Sequence, residues 1–211
     1  MSAWQPVPMP SDPLPLRPWY QPGPDFHQRA IPATRQPQQA WFRVHRSAAP
    51  AVQFGKLLHH RFSHPQCPFP LLYAGATIAV CLWEYFGDDI FGGRRVISAA
   101  KWNGCSLSRS VVPQLKVCAA SQEPTRNAMG VDKASLLAAD LTIPQAWGLA
   151  VQEHPAAFEA IKYSSRFTDL PCLALFGRGD LPARLQATLL GPLNMIDAAV
   201  DWLDERKAAL V

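Results

Sequence analysis

"LLYAGATIAVCLWEYFGDD" runs from Leu71 to Asp89, and the rest of the chain is read outward from it. The apolar residues from Phe69 to Ala74 have the length of a strand, and Thr77 stands at the position of a helix N-cap ahead of a second apolar run. A helix beginning there sets Glu84 one and two turns below Val80, Cys81 and Thr77, with Ile78, Leu82 and Tyr85 on the opposite face. A helix apolar nearly all round is predicted to be buried. A carboxylate in such a helix needs a partner or a polar cavity, because glutamate is almost never fully buried alone. Glu84 is therefore the first candidate functional residue.

Upstream, "AWFRVHR" (Ala40–Arg46) predicts a strand at the start of the folded part, which is expected to span residues 41–211. Downstream, Ser110–Ala120 predicts one strand with Pro113 at its start or on an edge. Thr142–His154 predicts a helix with Pro144 in its first turn. Ala160–Ser165 and Pro171–Gly177 predict two strands joined by a tight connection. Leu181, Leu185 and Leu189 are spaced for one amphipathic helix, and "NMIDAAVDWLDERKAAL" for a closing one. Strands and helices mix without a βαβ rhythm, so the expected class is α+β, in one compact domain.

The first 40 residues hold ten of the 21 prolines and read as an extended or flexible arm, since proline fixes φ and removes a donor. A net charge of +4 in 211 residues is too mild to argue for direct nucleic-acid binding. Five cysteines without a C-x-x-C pair indicate reduced, mostly buried thiols. The opening "MSAWQPVPMPSD" lacks the basic flank and apolar centre of a signal peptide. The uncharged interval Phe62–Trp83 is broken by three prolines and is a poor membrane span. These features predict a cytoplasmic protein.

No dinucleotide fingerprint, Walker sequence or nucleophile elbow occurs. "FGGRR" (Phe91–Arg95) lacks the length of a phosphate loop. His60 and His64 are spaced for a metal on a helix, but without a third ligand they are read as exposed loop residues and no metal is expected.

Four segments do combine in order: Arg43 in "WFRVH", Arg61 in "RF", Tyr73 and Glu84 in "LYAGAT…WE", and Ser165 with Arg166 in "IKYSSR" before "CLALF". Here the chain resembles the RES-domain family, from about Trp41 to Phe176, with "TIPQAW" similar to the helix before the family's serine strand. The resemblance implies a fold related to ADP-ribosyltransferase toxins and the role of a toxin in a toxin–antitoxin pair. It implies NAD⁺ as substrate, cleaved between nicotinamide and ribose with phosphate or water as acceptor, and no cofactor. The implied partner is a helix-turn-helix (Xre-type) antitoxin, through which larger oligomers assemble. Ala160 stands where relatives carry Gly, and Val44 where some carry an aromatic.

The chemistry of the matched residues is consistent with that substrate. Arg43 and Arg61 offer guanidinium forks to a pyrophosphate. Tyr73 offers a ring to the nicotinamide cation. Glu84 would stabilise an oxocarbenium-like ribose or orient its hydroxyls. Ser165 would position the ribose or the acceptor; Ser164, adjacent on the strand, would face the other way. Taken singly, each residue has a plainer reading: Glu84 pairing with Arg94 or Arg95, Tyr73 in the core, the two arginines on the surface. Two alternative functions stay open, ADP-ribosyl transfer to a protein and a catalytically silent partner-binding module.

Overall fold

An eight-stranded sheet organises the chain, of which the computed structural model describes residues 21–56, 58–91 and 95–211. The strands are β1 (Ala33–Gln36), β2 (Gln39–Arg46), β3 (Leu71–Gly75), β4 (Val96–Ile97), β5 (Cys105–Val112), β6 (Leu115–Cys118), β7 (Ala160–Ser164), β8 (Pro171–Phe176), β9 (Gln186–Pro192) and β10 (Ala209–Leu210). The helices are α1 (Ile78–Phe91), α2 (Ala99–Asn103), α3 (Glu123–Met129), α4 (Lys133–Leu136), α5 (Thr142–Glu153), α6 (Leu181–Arg184) and α7 (Asp197–Glu205). The large sheet has the order β1-β6-β7-β8-β3-β2-β5-β9, and β4 and β10 form a separate parallel pair. Among the described residues only β6 and β7 run parallel within the large sheet. The architecture is α+β.

The sheet is nearly two sheets. β2 pairs with β5 along its whole length, and β3 with β8 along its own, but β2 and β3 meet at one position, Phe42 opposite Gly75. Beyond that point they diverge. At the far end of the gap Gly55, from the long 47–70 connection, exchanges backbone hydrogen bonds with Leu71 at 2.9 Å each way. A closed seam would have filled the space with paired backbone; the split leaves a cleft instead.

Three apolar clusters hold the halves. α5 lays Ile143, Trp147 and Val151 beside Phe62, Ile161 and Tyr163. Leu82 and Phe86 of α1 pack with Trp202 and Leu203 of α7 against Val44 and Leu107. Trp41, Leu72, Leu115, Leu173 and Leu185 form the third. Each fully buried side chain of this size contributes roughly 1.5–3 kcal/mol. Gly148 permits α5 to approach the 47–70 connection, since a Cβ there would stand 2.2 Å from the Phe62 carbonyl oxygen.

Several expectations need correction. The boundary at residue 40 falls inside the fold: Phe26 is buried against Trp147, and β1 pairs with β6. Residues 1–20, with most of the proline-rich arm, lie outside the described residues. The strand expected over Ser110–Ala120 is two strands, with Pro113 in the break between them. The helix expected through Leu181, Leu185 and Leu189 stops after one turn, and Leu189 lies exposed on edge strand β9. α1 is not buried all round, because Glu84, Asp88 and Phe91 are exposed. No described helix is long and apolar enough to cross a membrane.

Candidate active site

The cleft between β2 and β3 opens into a cavity of about 800 Å³, with Arg43, His60, Tyr73, Glu84 and Tyr163 among its lining residues. α1 is set into it by the short turn after β3. Thr77 Oγ1 accepts from Val80 N at 3.2 Å, so the N-cap read from the sequence is formed. Two turns on, Glu84 emerges on the open side of the helix and lines the cavity. The burial that made it conspicuous in the sequence is thus absent; the cavity gives the carboxylate its polar surroundings.

Ser165 follows the last residue of β7, with its N–H donating to Leu170 O at 2.8 Å. It is fully buried. Its hydroxyl donates to Glu84 Oε1 at 2.7 Å and accepts from Phe167 N at 3.2 Å. Its one proton and one of its lone pairs are therefore used inside the protein, and the serine holds one oxygen of the glutamate. Arg166 pairs with Asp88, which ties the 165–170 connection to α1 just beyond Glu84. Phe167 stacks on Phe91 and Trp83 and rests on Gly87, where a Cβ would stand 2.5 Å from its ring. A small residue at 87 is thus part of what brings Ser165 to Glu84.

Arg43 projects from β2, and its Nη1 donates to Ala51 O at 3.1 Å and Pro50 O at 3.4 Å. Burial lowers its pKa, with Tyr85 and Cys81 opposing. Arg61 is placed differently. Its Nη1 donates to Leu136 O and Ala138 O at 2.9 and 3.0 Å, clamping the segment before α5, and it is not a lining residue. Burial lowers its pKa too, while Tyr163 and Glu84 nearby raise it.

The Tyr73 hydroxyl accepts from Phe62 N at 3.2 Å, and burial raises its pKa. His60 stacks on the Tyr73 ring at 5.0 Å and 23°, and His59 contacts His60 in turn at 4.5 Å. His60 is therefore no exposed loop residue. Burial, with His59 and Arg43 nearby, pulls its pKa down to about 4, which keeps the imidazole neutral near pH 7. His64 turns elsewhere and accepts from Gln66 N. Among the described residues no three His, Cys, Asp or Glu side chains stand together as a metal site. The cavity thiol of Cys81 donates to Phe42 O at 2.9 Å, and burial pushes its pKa up to about 12, so it is not a ready nucleophile.

Of the residues singled out in the sequence, the structure gathers Glu84, Tyr73 and Arg43 on the cleft lining, with Ser165 buried behind Glu84 and Arg61 beside the cleft. Sequence reasoning missed His60, Tyr163, and three residues of α1, β2 and α2, namely Tyr85, Arg46 and Lys101, all on the lining. Tyr163 carried a signal, two residues before Ser165 on a predicted strand. The others come to the cleft through the β2–β3 split and the 47–70 connection, which have no local pattern.

Comparison with known proteins agrees with this architecture. The fold is similar to a chain in the crystal structure of the M. tuberculosis MbcT–MbcA toxin–antitoxin complex, with a TM-score of 0.59 and 17% identity over 83% of this chain and 92% of that one. No curated protein matches the sequence. The model of the RES domain matches residues 40–193, well over half of the chain, and that span contains both halves of the cleft with Arg43, Arg61, Tyr73, Glu84 and Ser165, so the chain belongs to the RES-domain family.

Proposed function

We propose that the protein consumes NAD⁺ by breaking the bond between nicotinamide and ribose, as the toxin of a toxin–antitoxin pair. The observation that carries the reading is Glu84 facing the cavity with one carboxylate oxygen fixed by a buried serine hydroxyl. A carboxylate so held needs little reorganisation as positive charge develops nearby, and this is the condition for electrostatic catalysis.

In the reaction the C1′–N1 bond breaks with its electron pair going to the nicotinamide, which leaves neutral. The ribosyl carbon gains oxocarbenium character, and Glu84 stabilises it from the side of its free oxygen. An acceptor oxygen then bonds to C1′; phosphate gives ADP-ribose 1″-phosphate, and water gives ADP-ribose with release of a proton. Ser165 works through Glu84 in this scheme, since its hydroxyl is engaged on both sides. Tyr73 with His60 supplies an aromatic wall for the nicotinamide ring. Arg43, on the lining, attracts the phosphates, and Arg61 adds positive potential from beside the site. The partner in this reading is a helix-turn-helix antitoxin that covers the cleft. The similar fold within a toxin–antitoxin complex supports an antitoxin as partner.

Mass-resolved analysis of NAD⁺ incubated with purified protein, with and without phosphate, tests the proposal. Nicotinamide release is the expected result, and the second product names the acceptor. Intact NAD⁺ under both conditions, with folded protein, would remove the reading.

A further inference from the structure

Away from Ser165 the cavity lining becomes cationic. Arg46 ends β2 and is held opposite Cys105 by the β2–β5 register. α2 precedes Cys105 by a single residue, Gly104, and carries Lys101 into the same end of the cavity. Tyr85 stands at this pole; its hydroxyl neighbours Arg46 and the Cys105 thiol, and Lys101 Nζ lies 5.5 Å from its ring centroid. Lys101 also pairs with Asp89 at 2.5 Å, whereas no carboxylate pairs with Arg46 among the described residues. Among the described residues the lining thus holds three cations, Arg43, Arg46 and Lys101, against one carboxylate, Glu84. Glu84 and Tyr85 are neighbours on α1 but diverge by about a quarter turn of the helix, one reaching Ser165 and the other Arg46. The cavity is therefore polarised, with a carboxylate pole and a cationic pole one helix face apart.

We propose that Arg46 and Lys101, with Arg43, form a phosphate subsite that holds the diphosphate of an ADP-containing ligand and points its distal ribose at Glu84. The assignment rests on the proposed function for its orientation and on the cationic lining for its chemistry. A guanidinium fork and an ammonium on a fixed strand end and a short helix suit adjacent phosphate oxygens. Arg61 is the less suitable anchor, because, unlike Arg43, it does not line the cavity.

ADP is the probe, because it has the diphosphate and no bond to nicotinamide. Arg46 and Lys101 are both exposed, so Arg46→Gln and Lys101→Gln are expected to fold; circular dichroism checks this. By calorimetric titration each variant should bind ADP roughly tenfold more weakly than wild type, and the double variant more weakly still. Adenosine should bind all proteins alike. Equal ADP affinity in the wild-type and double variant, or no ADP binding by wild type, overturns the subsite. NAD⁺ cleavage with unchanged KM in the double variant overturns it while leaving the chemistry standing. Charge-dependent ADP binding beside intact NAD⁺ sustains it and removes the chemistry.

Discussion

Ser165→Ala deletes one buried oxygen and leaves Glu84 without its fixed partner. A hydrogen bond to a charged group contributes roughly 1.5–3 kcal/mol. If the held orientation is needed in the transition state, kcat should fall about ten- to a hundredfold, since each 1.36 kcal/mol is a factor of ten. Phe167 N also loses its acceptor, at a stability cost of about 1 kcal/mol that a thermal melt would register. The discriminating assay is a double-mutant cycle on NAD⁺ turnover. Ser165→Ala in the Glu84→Gln background should cost less than about twofold further, because the serine acts through the glutamate. A full ten- to hundredfold loss in that background too would refute the reasoning and return Ser165 to direct contact with ribose or acceptor.

Gly87→Ala pushes a methyl into the Phe167 ring at 2.5 Å. Crowding of this kind costs about 1–3 kcal/mol, and turnover should fall with the melting temperature because Phe167 N helps hold Ser165. His60 supplies a pH signature. Its folded pKa of about 4 lies below its ordinary 6.5, so its contribution is present above pH 6.5 and lost as pH falls towards 4. His60→Gln should flatten denaturant-measured stability across that window; the remaining slope comes from His45 and His154, which burial depresses in the same sense. Near pH 4 it comes also from Asp25, Asp140 and, against the pull of its burial, Asp132, all held low by their hydrogen bonds. An unchanged slope would show that His60 is not held neutral.

How much of this the sequence contained depended on whether the signal was local. β2, β3, α1, α5, β7 and β8 were legible because apolar periodicity, the cap at Thr77 and Pro144 in the first turn of α5 agree with their packing. β5 was not. Its Ser106, Ser108 and Ser110 alternate like exposed polar residues, yet all three are buried in a strand flanked on both edges. Ser108 is satisfied there by His45 Nε2 at 2.7 Å, and Ser106 by Ser47 at 2.8 Å, neither foreseeable from spacing. β9 misled in the opposite direction. Leu181 and Leu185 are buried at helical spacing, but Leu189 continues that spacing only by coincidence, on an edge strand where it is exposed. In the site, Glu84 was found for a reason that proved incomplete, since the helix is open on that side. Arg46, Lys101 and His60 depend on where β2 and β3 part, a tertiary event with no mark in the residues themselves.

The central claim is that Glu84 acts as a charge in the cavity and not merely as a hydrogen-bond partner of Ser165. NAD⁺ turnover by Glu84→Gln, which keeps the shape and an acceptor for Ser165 but removes the charge, tests it most directly. The expected result is a folded protein whose nicotinamide release falls by at least about a hundredfold, the scale of a lost electrostatic group. Release at the wild-type rate would contradict the account.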